Sequence, residues 1–313
     1  MNKLIQLSLV VIVFFSSCKE FIEPSITNQK LNLVAPANRI ETTNYQQTFW
    51  WETLEDAFQY RLQIVNPSFG NINQLVLDTV VKTDKFIYTL EPGNYEWRVR
   101  GENGSSQTAY TTYRLVVHPS SLQDQVVQLV APTNGLITTN SAIQYEWLKL
   151  FGTTQYRLQI DNKNFADENN LLLNQTTPNL IFTHTLTADG NYQYRIRAEN
   201  AMEISKWSAI RSFTYDGTPP EKVVLTTPTD KQMVSKPVTL RWNALTDTEK
   251  YELTVYKSDA TTVFNSSYPQ MVTTNTATFN LGDLGDSLYW RVRAVDKAGN
   301  KGPYSELFNF TLQ

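Results

Sequence analysis

The strongest constraint on this chain of 313 residues is a set of short sequence patterns that recurs three times, at a spacing close to 96 residues. Each copy has an early proline, and the three are Pro36, Pro132 and Pro228. Each has a tryptophan after that proline, and the three are Trp51, Trp147 and Trp242. Two longer motifs follow in every copy, at 60–64, 156–160 and 251–255, and at 97–100, 194–197 and 290–293. A chain with this self-similarity is built from one structural unit repeated in tandem.

The recurring motifs alternate apolar and polar residues with a period of two. In the segment around Trp97, the side chains of Tyr95, Trp97 and Val99 fall on one face, and those of Glu96 and Arg98 fall on the other. Short segments of this kind are separated by clusters of Gly, Pro, Asn and Asp, and no long stretch has helical periodicity. The sequence therefore predicts an all-β protein in which each repeat forms a β-sandwich.

The combined pattern resembles fibronectin type III domains, in the divergent form common in bacterial surface proteins. The resemblance covers about residues 31–313 and implies three tandem antiparallel β-sandwiches. It also implies that Tyr95 and Tyr192 are corner tyrosines at the turn into the sixth strand. The third repeat has Leu288 at this position, so we expect it to lack the corner hydrogen bond.

The repeat boundaries and proline-containing joints predict the domain organisation. We expect a signal peptide at 1–17, a lipidated cysteine and polar tether at 18–30, and domains at 31–118, 126–216 and 222–313. The joints between domains contain Pro119 and the pair Pro219 and Pro220. Because proline restricts the backbone, such joints favour a semi-rigid rod.

The N-terminus is typical of a secreted, lipid-anchored protein. Residues 4–15 are almost continuously apolar but too few to span a bilayer, as in a signal peptide. Cys18 follows two serines and is the only cysteine, which resembles the lipoprotein signal in which this residue is acylated. The alternative is an ordinary cysteine within a cleaved leader. Lys19, Glu20 and Glu23 resemble a surface-export signal, so we expect an outer-membrane lipoprotein, with the cell-surface face favoured.

Composition and motifs argue against several functional classes. The net charge of −3 and the lack of any Lys/Arg cluster are unlike a nucleic-acid-binding protein. One cysteine and two distant histidines cannot form a common zinc site, and neither histidine has the context of a catalytic triad. We expect no enzyme activity, no cofactor and no metal. His184 is interpreted as a plain strand residue, and Asp283 with Asp286 as a loop turn or, alternatively, a calcium site.

Two tryptophans are candidate contact residues for a ligand or partner. Trp50 aligns with Glu146 and Arg241 of the other repeats, so strand alternation turns it outward while Trp51 enters the core. It is either a binding platform or a residue that packs on a neighbouring strand or domain.

Trp207 aligns with two tyrosines at the start of the last strand, and these rings are expected to stack on arginines of the sixth strand. The rings are Tyr110, Trp207 and Tyr304, and the arginines are Arg98 or Arg100, Arg195 or Arg197, and Arg291 or Arg293.

Opposite charges are also expected on neighbouring strands. Arg61 with Glu96, and Glu252 with Arg291 or Arg293, should decorate a solvated sheet face and add little stability.

Two functional hypotheses follow. The first is a non-catalytic, lipid-anchored stalk or protein-interaction module, attached to the membrane through Cys18 and contacting an envelope protein. The second is a carbohydrate-binding accessory lipoprotein of outer-membrane glycan uptake, which depends on exposed aromatic residues such as Trp50.

Overall fold

The computed structural model of the protein describes residues 23–313. The predicted signal peptide, Cys18 and the first part of the predicted tether lie outside the described residues. The chain divides into two compact units, one ending at Pro119 and one spanning Ser120–Gln313. The first unit contains one β-sandwich, and the second contains two.

The first domain consists of eight strands. They are β1 (Leu33–Ala35), β2 (Ile40–Thr42), β3 (Gln46–Trp51), β4 (Gln59–Ser68), β5 (Asn71–Val81), β6 (Lys85–Thr89), β7 (Gly93–Glu102) and β8 (Thr111–Val117).

The second domain is preceded by a single 3₁₀ turn at Leu122–Asp124 and repeats the eight strands. They are β9 (Leu129–Ala131), β10 (Leu136–Thr138), β11 (Ala142–Trp147), β12 (Gln155–Asp161), β13 (Leu173–Thr177), β14 (Ile181–Thr185), β15 (Gly190–Glu199) and β16 (Arg211–Tyr215).

The third domain repeats them again. Its strands are β17 (Leu225–Thr227), β18 (Gln232–Val234), β19 (Val238–Trp242), β20 (Lys250–Tyr256), β21 (Gln270–Val272), β22 (Thr276–Phe279), β23 (Ser287–Val295) and β24 (Phe308–Leu312).

All three domains have the same sheet order. In the first, one sheet has the order β1-β3-β6 and the other β2-β8-β7-β4-β5, and the equivalent strands repeat this arrangement in the other two. Neighbouring strands are antiparallel, except that the second strand of each domain pairs in parallel with the last. The predicted tandem arrangement of fibronectin type III-like sandwiches is confirmed.

The recurring proline separates the first two strands of each domain. Strand β1 ends at Ala35, next to Pro36, and the equivalent strands end next to Pro132 and Pro228. Because proline has no N–H to donate to a sheet, it ends the pairing with the three-stranded sheet. The chain then continues as a short strand in the opposite sheet.

The recurring tryptophans lie at the centre of the cores, as predicted. Trp51 and Trp242 are fully buried, and Trp147 is 1% exposed. Each packs on the tyrosine that begins the Tyr-x-Leu motif, with ring centroids 5.4–5.6 Å apart. In the first domain, the hydroxyl of this Tyr60 accepts the N–H of Leu54 at 2.9 Å. Equivalent hydrogen bonds in the other two domains show why each repeat has a tyrosine here.

The corner tyrosines are also confirmed, although they lie in the seventh strand of their domains and not in the predicted sixth. Tyr95 donates its hydroxyl hydrogen to the carbonyl oxygen of Glu91 at 2.8 Å, and Tyr192 donates to that of Ala188. Leu288 is buried at the same place in the third domain and has no hydroxyl. There the turn is joined to the last strand instead, because Leu312 donates its N–H to Asp286 at 3.0 Å.

Candidate functional site

Trp50 lies on the outer face of the three-stranded sheet in the first domain, as the strand alternation predicts. Its side chain is 37% exposed, whereas its neighbour Trp51 is fully buried. The indole Nε1 donates to the carboxylate of Asp84 at 3.2 Å, and the ammonium of Lys85 lies 4.5 Å from the ring centroid. These contacts hold the ring in one orientation while part of it stays accessible. Exposed Ile87 lies on the same face, opposite Thr48 in the adjacent strand.

Trp207 and its equivalents stack on arginines, as predicted. Each ring contacts both outward arginines of the strand beside it. The ring-to-guanidinium distances are 4.2 and 4.8 Å for Tyr110, 4.3 and 4.6 Å for Trp207, and 3.8 and 4.4 Å for Tyr304. The half-buried Trp207 therefore has a structural role, and whether it also contacts a ligand stays a prediction.

The first expected charge pair does not form. Arg61 and Glu96 do lie on neighbouring strands, but Arg61 binds both carboxylate oxygens of Asp78 at 2.8 Å. Glu96 instead accepts the N–H of Phe69 at 2.8 Å and the Nε–H of Arg114 at 2.7 Å. It is only 7% exposed because the turn between β4 and β5 folds over the sheet at this point. The expectation that Glu96 is a solvated surface residue is therefore wrong.

The second expected pair forms, but it is buried rather than solvated. Glu252 is 4% exposed and accepts hydrogen bonds from Arg293 at 2.6 Å, Tyr304 at 2.7 Å and Lys301 at 3.0 Å. Burial by itself would raise the pKa of Glu252. The hydrogen bonds from Tyr304, Lys301 and Arg293 outweigh it and lower the pKa to about 2. The carboxylate is thus held ionised as part of the domain structure.

In the second domain, Glu199 has a comparable role. It accepts from Arg157 at 2.7 Å and from Arg197 at 2.8 Å. Burial would raise its pKa, but the two arginines lower it. In both domains the acid is saturated with donors, so neither has the raised pKa that a general acid requires.

The segment that leads into each domain is bound by the loop between the seventh and eighth strands of that domain. In the first, Asn103 donates to the carbonyl of Pro24 at 2.9 Å, and Ser106 Oγ accepts the N–H of Ile26 at 3.0 Å. Ile26 is fully buried. The described part of the predicted tether, residues 23–30, therefore packs against the first domain instead of extending away from it.

The same loop position binds the lead-in to the second domain. The carboxylate of Glu203 accepts the N–H of Leu122 at 2.9 Å and the hydroxyl of Ser121 at 2.8 Å. Leu122 is 2% exposed, and Lys206 donates its N–H to the carbonyl of Gln125 at 3.1 Å. Residues 121–125 are therefore an ordered part of the second domain.

The joint between the second and third domains is bound from both sides. From the second domain, Asp189 accepts the N–H of Gly217 at 2.7 Å and also the hydroxyl of Thr218, and the Gly217 hydrogen bond lowers the pKa of Asp189. From the third domain, Asn300 donates to the carbonyl of Asp216 at 2.9 Å.

This joint is also tightly packed. Gly302 is buried against the backbone of Pro220, and a Cβ atom on Gly302 would lie 2.6 Å from the Pro220 carbonyl oxygen. Because that contact is shorter than any side chain tolerates, only glycine fits here without a shift of the joint.

The remaining candidate residues have ordinary structural positions. His184 lies in strand β14, opposite Ile143. Asp283 and Asp286 form a turn in which the carboxylate of Asp286 accepts the N–H of Asp283 at 2.8 Å. Across residues 23–313, the structure contains no group of three or more acidic, histidine or cysteine side chains placed to bind a metal. Nor does this part of the chain contain a helix long and apolar enough to span a membrane.

Two of the solved structures that resemble this chain illustrate the similarity. One contains the FN1–FN3 domains of chicken CNTN1, with 14% identity, a TM-score of 0.41, and coverage of 90% of this chain and 97% of that one. The other contains the fibronectin(III)-like modules of CbhA from Clostridium thermocellum, with 14% identity, a TM-score of 0.37, and coverage of 60% and 94%. No protein-family model and no curated protein matches the sequence.

Proposed function

We propose that the protein is a non-catalytic, lipid-anchored spacer of the bacterial cell envelope, which presents interaction surfaces at a distance from the membrane. The observation that carries this proposal is the binding of each lead-in segment by the domain that follows. Asn103, Glu203 and Asn300 each bind the preceding segment from an equivalent loop. A spacer needs restrained joints, because freely hinged domains would not hold a surface at a defined distance.

The buried polar residues also fit a spacer better than an enzyme. The acids Glu199 and Glu252 are ionised and saturated with hydrogen bonds, so they stabilise the sheets and have no free proton or lone pair directed at a substrate. Membrane attachment depends on Cys18, the only cysteine, which follows an apolar leader.

Fractionation of cells expressing the full chain tests the anchor. We expect wild-type protein in the membrane fraction, and Cys18→Ala in the soluble fraction without the mass of attached acyl chains. Ser16→Ala is the matched control, because it changes the leader near the cysteine but keeps the acylated thiol. A Cys18→Ala variant that stays in the membrane fraction would refute the lipid anchor.

A second candidate function is glycan binding by an accessory lipoprotein. It is favoured by the partly exposed ring of Trp50, which Asp84 and Lys85 hold in a fixed orientation on the outer sheet face. Sugar rings stack on such rings through their apolar faces. On an oligosaccharide array, Trp50→Ala should reduce binding by the full chain, whereas Thr48→Ala on the same face should not. Equal binding by both variants would exclude Trp50 as the platform.

A further inference from the structure

A cleft of about 380 Å³ opens on the five-stranded sheet of the second domain, where β15 pairs with β16. Its volume is within the range of small-molecule sites. The side chains around it are mostly neutral amides and hydroxyls, from Asn164, Asn191, Gln193, Ser212 and Thr214. The apolar side chains that line it are those of Ile210 and Phe213. None of the described residues that line the cleft is charged.

The cleft exists because the second domain lacks a pair of side chains that fills this place in the first. In the first domain, Glu96 lies opposite Arg114, and their side chains form an ion pair at 2.7 Å across the sheet face. The equivalent cross-strand pair in the second domain is Gln193 and Ser212. Serine is several atoms shorter than arginine and cannot cover the adjacent strand, so the surface there stays open.

One rim of the cleft is a rigid loop with an unusual backbone. Asn164 and Phe165, which follow β12, have φ angles of 56° and 58°. Asparagine adopts this left-handed conformation more readily than most residues, but for a bulky residue such as phenylalanine it is strained. The loop is held by Asp161, which is 2% exposed and accepts the N–H of Lys163 at 3.0 Å and of Phe165 at 2.7 Å. Strained backbone fixed by a buried acid is characteristic of functional sites.

The hydrogen-bonding groups of the cleft are only partly used within the protein. Gln193 accepts the N–H of Asn164 through Oε1 at 3.2 Å, and Asn191 accepts the hydroxyl of Thr214 through Oδ1 at 2.7 Å. Neither amide NH₂ group has a partner among the described residues. The two NH₂ groups, with the carboxamide of Asn164, therefore supply both donors and acceptors to a ligand.

These features select the class of ligand. An anion would lack a cationic partner, and a cation would lack a carboxylate. A purely apolar molecule would find little apolar surface, because Ile210 is 50% exposed but the ring of Phe213 is only 2% exposed. We propose that the cleft binds a neutral saccharide, whose hydroxyls pair with the amides and whose C–H face contacts Ile210. This inference extends the second candidate function and assigns it a site distinct from Trp50.

The test measures binding of the full chain to neutral gluco-, manno-, xylo- and galacto-oligosaccharides on an array, followed by calorimetry with the strongest of them. The double variant Gln193→Glu/Ser212→Arg rebuilds the ion pair of the first domain and should fill the cleft. We expect it to weaken binding at least about tenfold. Thr278→Arg is the matched control, because it adds an arginine to an exposed strand of the third domain. The affinity of this variant for the oligosaccharide should stay within about twofold of the wild-type value.

Two further variants separate the possible outcomes. If the double variant does not fold, Asn191→Ala removes one carboxamide, with its NH₂ donor, from the cleft, and it should weaken binding several-fold. Binding that survives either cleft variant but is lost in Trp50→Ala would refute the cleft and support the second candidate function at Trp50. If the chain binds none of the neutral oligosaccharides, the cleft is refuted as a saccharide site. The fractionation result for Cys18 would stand independently of that outcome.

Discussion

The side-chain amide of Asn300, in the third domain, donates a hydrogen bond to the carbonyl oxygen of Asp216 across 2.9 Å. Asp216 directly follows the last strand of the second domain, so this contact joins two sandwiches through one backbone group. The same asparagine also donates to the carboxylate of Asp296 at 2.9 Å, which fixes its orientation. The joint is thus restrained by a side chain that is itself held in place, and this restraint is the basis of the spacer proposal.

The adjacent tryptophans of β3 should differ sharply in their contribution to stability. Trp51→Ala removes a fully buried ring and should destabilise the first domain by about 3–5 kcal/mol. Trp50→Ala removes a partly exposed ring with one hydrogen bond and one cation–π contact, so its cost should stay below about 1 kcal/mol. Urea unfolding of the full chain, followed by amide exchange within the first domain, measures both. Equal losses would mean that Trp50 also supports the core.

Ionisation of Glu252 should make the stability of the third domain fall at acid pH. The pKa of Glu252 is lowered from an ordinary 4.5 to about 2, so its stabilisation is complete above pH 4.5. It should be lost as the pH falls from 4.5 through 2. The contribution at neutral pH is at most about 3 kcal/mol.

Comparison with Glu252→Gln isolates this effect. The difference in unfolding free energy between wild type and variant should be largest above pH 5 and shrink towards pH 2. Glu306→Gln is the control, because Glu306 forms a surface ion pair with Lys222 and should contribute little at any pH. A difference for Glu252→Gln that is constant with pH would contradict the assigned pKa shift.

The corner hydrogen bonds should each contribute measurably to their domains. Tyr95→Phe and Tyr192→Phe remove only the hydroxyls that bind Glu91 and Ala188, and each should cost about 1 kcal/mol. Tyr113→Phe is the control, since that ring packs edge-on against Trp97 and its hydroxyl has no hydrogen bond in the described part of the chain. Thermal unfolding of the full chain should rank Tyr113→Phe as the mildest change, and an equal effect of all three would refute the role of the corner bonds.

The sequence predicted the features that depend on local alternation. A period of two assigns Trp51 to the core and Trp50 to the surface, and repetition of the pattern identifies Trp147 and Trp242 as equivalent core residues. The same rule failed for Glu96 and Glu252, which it assigned to solvent. Their burial is caused by loops that cover the outer sheet face, and strand periodicity does not describe loops.

The positions of the joints were predicted from their prolines, but the side-chain contacts that bind them and the cleft were not, because both depend on contacts between distant segments. A signal for the joints was present, because each repeat has a polar residue in the same loop that binds the lead-in segment: Asn103, Glu203 and Asn300. For the cleft, the signal was the replacement of the Glu96 and Arg114 pair by Gln193 and Ser212. It becomes interpretable only when the cross-strand register is known.

The distance distribution between the second and third domains tests the spacer account most directly. Spin labels at Gln175→Cys and Thr278→Cys, both at exposed strand positions, can be introduced into the full chain after Cys18→Ser removes its only native cysteine. A restrained joint predicts one narrow distance distribution by double electron–electron resonance. That distribution should broaden when Asn300→Ala and Asp189→Ala release the joint. A wild-type distribution that is already as broad as that of the variant would contradict the account.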